Sequence, residues 1–331
     1  MSSVRTVLGD VPPEGLRRVD YHEHLFQVSP LLVGDELTDE ARSSDEARLL
    51  YGSGFSSMID ATPTGLGRDP EALARISTVT GLNVVAATGA HREAHYPAHW
   101  LLECRASELA DRFAADVSTG MACLDAQTPG AMAHAPNGLP VRAGLLKAGI
   151  GYWSISAFER RVLEAVAAAH RRTNAPLMVH LEHGSAAFEV LDLLSESGVE
   201  ASAVVLAHVD RNPDAGLHAE LAARGAYLGY DGAARHRAWP DSTLLACLIE
   251  AAERGAGARI VLGGDVGRST HYTAYAGMPG LAYLGERFVP RLIQAGGPEL
   301  ANAVLKTNPQ RLLSRFPRAG RGTERSTPPS P

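Results

Sequence analysis

The sequence predicts an α/β protein built as a (β/α)8 (TIM) barrel. About eight short apolar segments recur along the chain, and a helix-prone segment follows each of them. Such alternation indicates a parallel sheet covered by helices. No G-x-G-x-x-G motif lies between a predicted strand and a helix, so the main signal of an open dinucleotide-binding sheet is missing. A length of 331 residues suits one barrel.

The individual elements are predicted from apolar runs and from helix-end signals. The first strand runs into His22, and the others cover residues 56–60, 83–89, 141–148, 177–180, 203–208, 226–231 and 259–265. Among the helices, the one after the second strand has the clearest ends. Asp69 is a good N-cap, Pro70 a good first helical residue and Gly81 a typical terminator.

Two segments are expected to lie outside this regular pattern. We expect one barrel domain over residues 1–315 and a disordered tail over 316–331, which is rich in Pro, Ser, Gly and Arg. Residues 120–139 are rich in Gly, Pro, Ala and Asn and predict a surface loop inserted before the fourth strand. We expect that loop to pack at the bottom of the barrel, away from any catalytic group.

Composition and charge exclude several classes of protein. The net charge is −6 and no block of basic residues occurs, which argues against nucleic acid as a partner. The cysteines, Cys104, Cys123 and Cys247, are odd in number and lack metal-type spacing, so a reducing compartment fits best. No stretch approaches the ~18 apolar residues of a membrane span. We therefore expect a cytoplasmic protein without a membrane partner.

Polar side chains stand at the predicted carboxyl ends of several strands, where barrel enzymes place their reacting groups. On an extended strand, side chains that are two residues apart, such as those of His22 and His24, point to the same side. The later positions are separated by about one β/α unit, for example 33 residues from Lys147 to His180. We therefore expect four histidines, a lysine and an aspartate to converge at one mouth as metal ligands: His22, His24, Lys147, His180, His208 and Asp265.

Lys147 is the unusual member of this set, because an ammonium group has no lone pair and is repelled by a cation. One interpretation is a desolvated, neutral amine that acts as a base or forms an imine. The other is a carbamate formed with CO2, whose oxygens can bridge two metal ions about 3.5–4 Å apart. Four imidazoles, a carbamate and a carboxylate suit two divalent ions that share a hydroxide.

Eight short motifs follow one another between about Val4 and Leu313. They are His22-Glu23-His24-Leu25, Gly67-Arg68-Asp69, residues 83–89, residues 143–147, Val179-His180, Ala207-His208, Gly263-Gly264-Asp265 and Asn308-Pro309. Each motif is weak alone, whereas the ordered set of six ligand positions is specific. Together they resemble the phosphotriesterase family of the amidohydrolase superfamily.

This resemblance implies a binuclear metal centre at the C-terminal ends of the strands. The two histidines of the first strand and Asp265 would hold the more buried metal, and the other two histidines the more exposed one. Lys147, as N6-carboxylysine, would bridge both metals together with a hydroxide. Zinc is the expected metal, while Mn, Co, Fe and Ni also suit these ligands. The hydroxide would attack a small-molecule substrate and Asp265 would accept its proton. The resemblance alone also suggests a homodimer.

The loops after the strands carry the candidate substrate-binding residues. Lactonase members of the family have a tyrosine two residues after a Thr-Gly pair, where this chain has His91. We interpret His91 as a hydrogen-bond donor to substrate, with a water-facing rim residue as the alternative. Arg235 and Arg268 are candidates to bind an anionic group bidentately, with solvent-facing arginines as the alternative. Glu182 shares the side of His180 and is a candidate to orient it.

These features favour a metal-dependent hydrolase that attacks an ester, lactone or amide carbonyl, or a phosphoester, of a small molecule. A carboxylic ester or lactone is favoured over an amide or phosphotriester. One alternative is an amidase or deacylase acting on an N-acyl compound. The others are a metal-binding barrel without catalysis and a metal-free lyase that uses Lys147 as an imine. The complete ligand set argues against both.

Overall fold

A computed structural model describes residues 2–235 and 238–317 of the chain. Its strands are β1 Ser2–Thr6, β2 Gly9–Val11, β3 Val19–Glu23, β4 Ser57–Asp60, β5 Asn83–Gly89, β6 Leu145–Ile150, β7 Leu177–Leu181, β8 Val204–Ala207, β9 Tyr227–Tyr230, β10 Ile260–Leu262 and β11 Phe316–Pro317. Its helices are α1 Glu40–Gly52, α2 Pro70–Thr80, α3 Ala106–Ser118, α4 Ala157–Thr173, α5 Ala187–Glu196, α6 Ala215–Ala223, α7 Asp241–Glu253, α8 Val289–Asn302 and α9 Asn308–Leu313.

The strands from β3 to β10 form a nearly closed parallel barrel. Neighbouring strands pair in chain order, and each of these pairs is parallel. A helix follows each strand from β3 to β10. Between the first and last strands, the backbone N–H of Asp265 donates to the carbonyl of His22 at 2.8 Å. The predicted (β/α)8 barrel is therefore confirmed.

The barrel is filled by apolar side chains and covered at its N-terminal end. Three elements make this cover, namely the hairpin formed by β1 and β2, the short 3-10 helix Pro13–Leu16 and the short helix α9. Their side chains share one buried cluster with the inward side chains of the strands: Val4, Leu16, Leu312 and Leu313 with Tyr21, Ile59, Val85, Leu145, Met178, Val205, Tyr227 and Val261. The open end is therefore the C-terminal end of the strands.

Helix α2 shows how local sequence sets the ends of an element. Asp69 accepts a hydrogen bond from the N–H of Ala72 at 2.9 Å, as an N-cap does. Pro70 occupies the first turn, where no hydrogen bond requires its missing N–H. Gly81 ends the helix with a left-handed conformation at φ 78°. These three positions are as predicted.

Two strands differ from the predicted bounds by more than one residue at an end. The fourth barrel strand begins at Leu145 rather than at residue 141, because Val141 instead exchanges backbone hydrogen bonds with Met121 and Ala133 of the inserted segment. The last strand ends at Leu262 rather than at residue 265. A Cβ placed on Gly263 would lie 2.8 Å from the backbone nitrogen of His22, so the chain passes too close to the first strand for a side chain.

The inserted segment runs along the outside of the barrel. Near its end, the Asn137 amide donates to the carbonyl of Leu8 at 2.9 Å, beside the hairpin at the bottom. Earlier in the segment, Asp125 accepts a hydrogen bond from the N–H of Gly65, in the loop that follows β4. The expectation of packing at the bottom therefore describes the Asn137 end and not the Asp125 end.

The end of the chain is described as far as residue 317. Phe316 and Pro317, which the sequence assigns to the tail, form β11 and pair antiparallel with β1. The rest of the predicted tail, residues 318–331, lies outside the described residues. Within the described part, no helix combines the length and the apolar character needed to cross a bilayer.

Candidate metal centre

A bulge in β3 brings both histidines of the His-x-His motif into the barrel. The register of β3 against β4 shifts between Asp20 and Glu23. Tyr21 belongs to the interior cluster, and His22, the next residue, also lies inside, with its Nε2 3.1 Å from the Nζ of Lys147. Regular alternation forbids two successive inward side chains, whereas a bulge permits them. Both His22 and His24 are buried.

The carboxylate of Asp231 contacts the Nδ1 atoms of two of the four histidines. Its Oδ2 lies 3.0 Å from the Nδ1 of His22, and its Oδ1 lies 2.6 Å from the Nδ1 of His208. Tyr21 also donates its hydroxyl to this carboxylate. Burial alone raises the pKa of Asp231, but the hydrogen bonds and charges of His208 and His22 lower it well below its usual value. The group is therefore an ionised acceptor.

The other two histidines have different supports. The Nδ1 of His24 lies 2.8 Å from the hydroxyl of Thr62. The Nε2 of His180 lies 2.9 Å from the Oε2 of Glu182, and Arg92 pairs with the same carboxylate oxygen at 3.2 Å. A partner on one ring nitrogen fixes the orientation of an imidazole and leaves the other nitrogen for a ligand.

The free nitrogens of the first-strand histidines face Asp265. Its Oδ1 lies 3.5 Å from the Nε2 of His22 and 3.5 Å from the Nε2 of His24. These three donor atoms lie within 4.8 Å of one another. Burial lowers the pKa of His22 to about 3, and the charge of Lys147 adds to this. A neutral imidazole keeps the lone pair that a metal needs, so this group fits a divalent cation.

The free nitrogens of His180 and His208 face each other at 2.7 Å. Their other nitrogens contact the carboxylates of Glu182 and Asp231, to which an imidazole N–H donates. A proton on either facing nitrogen would make this contact a hydrogen bond, whereas with both protons on the carboxylate side the two lone pairs are free to bind a cation. Burial also lowers the pKa of both rings. The pair therefore fits a second cation.

Lys147 lies on β6, is buried and contacts the imidazole of His22. Its Nζ contacts the Nε2 of His22 and the Sδ of Met178, each at 3.1 Å. Burial lowers the pKa of the Lys147 amine to about 8, although Asp265 and Asp231 act in the opposite direction. The neutral amine that a reaction with CO2 requires is therefore more accessible here than in an ordinary lysine.

His208 and Asp265 share a backbone feature, since both adopt the left-handed conformation, at φ 67° and 47°. Such residues cluster at functional sites. The Oδ2 of Asp265 accepts hydrogen bonds from Arg211 at 3.2 Å and from Arg235. Burial alone raises the pKa of Asp265, but the Arg235, His22 and His208 charges lower it well below its usual value. One oxygen thus faces the histidines and the other faces arginines.

A cavity of about 650 Å³ opens above these groups at the C-terminal end of the barrel. Its lining contains five of the six predicted ligands, all except Lys147. It also contains four guanidinium groups: Arg92, Arg211, Arg235 and Arg268. Arg268 is half-exposed and pairs with Asp35 at 3.6 Å. A metal-binding donor set and four arginines, each paired with a carboxylate, therefore share one opening.

Two further histidines form part of the cavity wall. The Nδ1 of His91 accepts a hydrogen bond from the N–H of Arg92 at 2.7 Å, so its proton must lie on Nε2. Its ring lies 4.1 Å from that of His95 and 4.4 Å from that of His180. The Nδ1 of His95 lies 2.8 Å from the Ser29 hydroxyl. Its buried Nε2 has no hydrogen-bond partner among residues 2–235 and 238–317.

The structure thus brings all six predicted ligands to one place, and His91, Arg235 and Arg268 line the cavity above them. Sequence reasoning did not single out Asp231 as a site residue, although it ended the predicted seventh strand. Thr62, Arg211 and His95 were also missed. Thr62 and Arg211 follow barrel strands closely, but nothing in the local sequence distinguishes them from ordinary loop residues.

Fold and site together define a barrel hydrolase with a metal-binding donor set at its open end. A family model described as the phosphotriesterase family matches residues 2–313. The chain therefore belongs to the phosphotriesterase family, as the ordered motifs predicted, and it is a metal-dependent hydrolase of that family.

Individual relatives align with this chain over nearly its whole length. A phospho-furanose lactonase of Mycoplasmopsis synoviae is 29% identical over 326 residues, which cover 94% of this chain and 91% of that protein. An N-acetyltaurine hydrolase of Danio rerio is 26% identical over 357 residues, covering 94% and 97%. The crystal structure of a lactonase from Listeria monocytogenes matches with a TM-score of 0.86 at 27% identity, covering 96% of this chain and 100% of that one.

Proposed function

We propose that this protein is a binuclear metal-dependent lactonase whose substrate carries an anionic group such as a phosphate. One observation carries the proposal: the same cavity is lined by metal-binding donors and by four arginines. Relatives named as lactonases, one of them a phospho-furanose lactonase, support a cyclic ester as the substrate.

In this proposal the six donors form two sites. His22, His24 and Asp265 would hold one ion, and His180 and His208 would hold the other. Lys147, as N6-carboxylysine, would add a carboxylate to this donor set. Zinc is the first expectation, with Mn, Co, Fe or Ni as alternatives. When bound, two divalent ions polarise the substrate carbonyl and make a water molecule a stronger nucleophile.

The reaction adds water across the ring ester, so the acyl C–O bond breaks and a hydroxy acid forms. Asp265 accepts a proton from the attacking water, and the ring oxygen gains a proton as it leaves. The Oδ1 of Asp265 is placed for this role because it faces the donor set, 3.5 Å from two imidazole nitrogens. Arg211 and Arg235 hold its other oxygen and so fix the plane of the carboxylate.

The cavity wall binds and orients the substrate. His91 presents an N–H at Nε2, because its Nδ1 is occupied by the Arg92 N–H. Burial lowers the pKa of His91 well below its ordinary value, so the ring acts as a neutral donor to a substrate oxygen. Arg268, at the half-exposed rim, binds the anionic group. Arg235 lies deeper in the cavity with its Nη2 on Asp265, and its remaining N–H groups can contact the same anion.

A second candidate function is hydrolysis of an N-acyl compound. It is supported by the relative named as an N-acetyltaurine hydrolase. The same donor set can polarise an amide carbonyl, since the attack of water is on the same kind of carbon. The two candidates differ in the leaving group, which is an alcohol in the lactone and an amine in the amide.

A matched substrate panel tests this proposal. The metal-loaded protein is assayed with a five-membered sugar-acid lactone with and without a terminal phosphate, an N-acyl amino sulfonate and an aryl phosphotriester. We expect the phosphorylated lactone to have the highest kcat/KM, and about two equivalents of metal per chain. Chelation should abolish turnover. Preference for the amide would favour the second candidate, and bound metal without any turnover would contradict both.

A further inference from the structure

Residues 119–144 connect α3 to β6 and include the inserted segment 120–139. One carboxylate of this segment contacts the loop after β4. The Oδ2 of Asp125 accepts the N–H of Gly65 at 2.8 Å. Arg68 donates to the same carboxylate through Nε at 3.0 Å and through Nη2 at 2.7 Å. The Arg68 side chain is 1% exposed. A bidentate pair with a buried arginine has a fixed geometry, so Asp125 fixes the position of Gly65.

From this loop, hydrogen bonds continue to His91. The carbonyl of Thr64 accepts the hydroxyl of Tyr96 at 3.0 Å. The same hydroxyl oxygen accepts the backbone N–H of His91 at 2.9 Å. Tyr96 is buried, so water does not compete for these bonds. Gly65 has a left-handed conformation at φ 82°, and a Cβ there would lie 3.2 Å from the Tyr96 ring, so the loop and the ring are in close contact.

We propose that Asp125 is a positioning residue that holds His91 at the wall of the cavity. The proposal rests on the substrate-binding role of His91 given above and assigns a function to the inserted segment. Thr64 also donates its backbone N–H to the carbonyl of Gly89 at 3.1 Å, so loss of the Asp125 carboxylate loosens this loop at Gly65 without releasing Thr64 altogether. The Thr64 carbonyl then anchors Tyr96 less rigidly, and the acceptor of the His91 backbone N–H is less firmly held. A displacement of about 1 Å in a substrate-positioning group can reduce turnover by about 100-fold.

Asp125→Ala tests this proposal because it removes both carboxylate oxygens and leaves the rest of the network in place. Arg68 keeps a hydrogen bond to Asp116 of α3 at 2.9 Å and its contact with the carbonyl of Ala87. The matched control is Glu71→Ala. Glu71 of α2 also holds the inserted segment, since its Oε1 accepts the N–H of His134 at 3.1 Å, but these bonds do not lead to Tyr96.

Amide hydrogen exchange measures the link directly and independently of activity. In the metal-loaded protein, we expect the peptide that contains His91 to exchange about tenfold faster in Asp125→Ala than in the wild type. Glu71→Ala should leave this peptide unchanged. Unchanged exchange in Asp125→Ala, or equal acceleration in both variants, would overturn the proposal.

A double-mutant cycle then separates positioning from general destabilisation. On the best substrate of the panel, we expect Asp125→Ala to lower kcat/KM about tenfold in the wild-type background and by much less in the His91→Ala background. Equal losses in both backgrounds would show that Asp125 acts elsewhere and would overturn the proposal. If the wild type turns over none of the panel, the lactonase proposal fails, and hydrogen exchange still decides the role of Asp125.

Discussion

The Oδ1 of Asp231 lies 2.6 Å from the Nδ1 of His208. The other oxygen of that carboxylate contacts His22 of β3, whose ring lies 5.1 Å from that of His208. In the proposed centre, His22 and His208 belong to different metal ions. One buried carboxylate therefore orients one ligand of each ion, which couples the two sites without being a ligand itself.

Asp231→Asn should lower the affinity for both metals by about 10–100-fold. The substitution keeps the size of the side chain but replaces one acceptor by an NH2 group, which opposes the imidazole N–H. Metal content after dialysis against graded chelator measures the effect. Asp45→Asn is the control, because Asp45 is exposed and contacts Arg48. Release of a single metal equivalent would contradict the coupling.

Asp265→Asn should lower kcat by about 100- to 10,000-fold while the fold is kept. An amide cannot accept the proton of the attacking water, whereas it preserves the shape of the carboxylate. Turnover is measured with added metal, and thermal unfolding and metal content are measured in parallel. A near-normal rate at full metal loading would show that the proton goes elsewhere.

Lys147→Ala should lose metal and activity, with partial rescue by a short carboxylic acid. The space left by the buried side chain can admit a carboxylate, which supplies the two oxygens that the carbamate would provide. Rescue is followed as metal content and turnover against acid concentration. A short primary amine of similar size is the control. Rescue by the amine and not by the acid would favour a role of Lys147 as a free amine.

Carbamate formation at Lys147 should depend on pH in a defined direction. Burial lowers the pKa of this amine to about 8, so roughly half is neutral at pH 8, against less than about 1% for an ordinary lysine. Since the neutral form reacts with CO2, metal uptake by the metal-free protein at fixed dissolved CO2 should rise with pH, with a midpoint near 8, and level off above about 9. A rise centred near 10 would indicate an unperturbed lysine.

The fold could be predicted because its signal is local and repeated. Each apolar run and each helix end, such as Asp69 with Pro70, is visible in a short window of sequence. The bounds of β6 could not be predicted in this way. Val141 pairs with Met121 and Ala133. No local sequence pattern indicates that a residue will pair with an irregular segment.

The candidate site was predictable to the extent that barrel topology determines it. His180 and His208 end neighbouring strands, so their convergence follows from the strand order. The residues that orient these ligands could not be predicted in the same way. Asp231 reaches His22 across the barrel closure, and the link from Asp125 to Gly65 joins an insertion to a distant loop. Both contacts depend on tertiary structure.

Arg268→Gln should raise KM for the phosphorylated lactone about tenfold and leave KM for the neutral lactone unchanged. Arg268 lies at the rim, half-exposed and paired with Asp35 at 3.6 Å, so it can turn to a substrate anion without moving a metal ligand. A charge-assisted hydrogen bond of this kind contributes about 1.5 kcal/mol. Arg254→Gln, in an exposed pair with Glu250 on α7, is the control. Because salt screens exposed charges, the difference between the two lactones should shrink at high ionic strength. Equal changes in KM for both substrates would place the anion-binding role on Arg235, Arg211 or Arg92 instead.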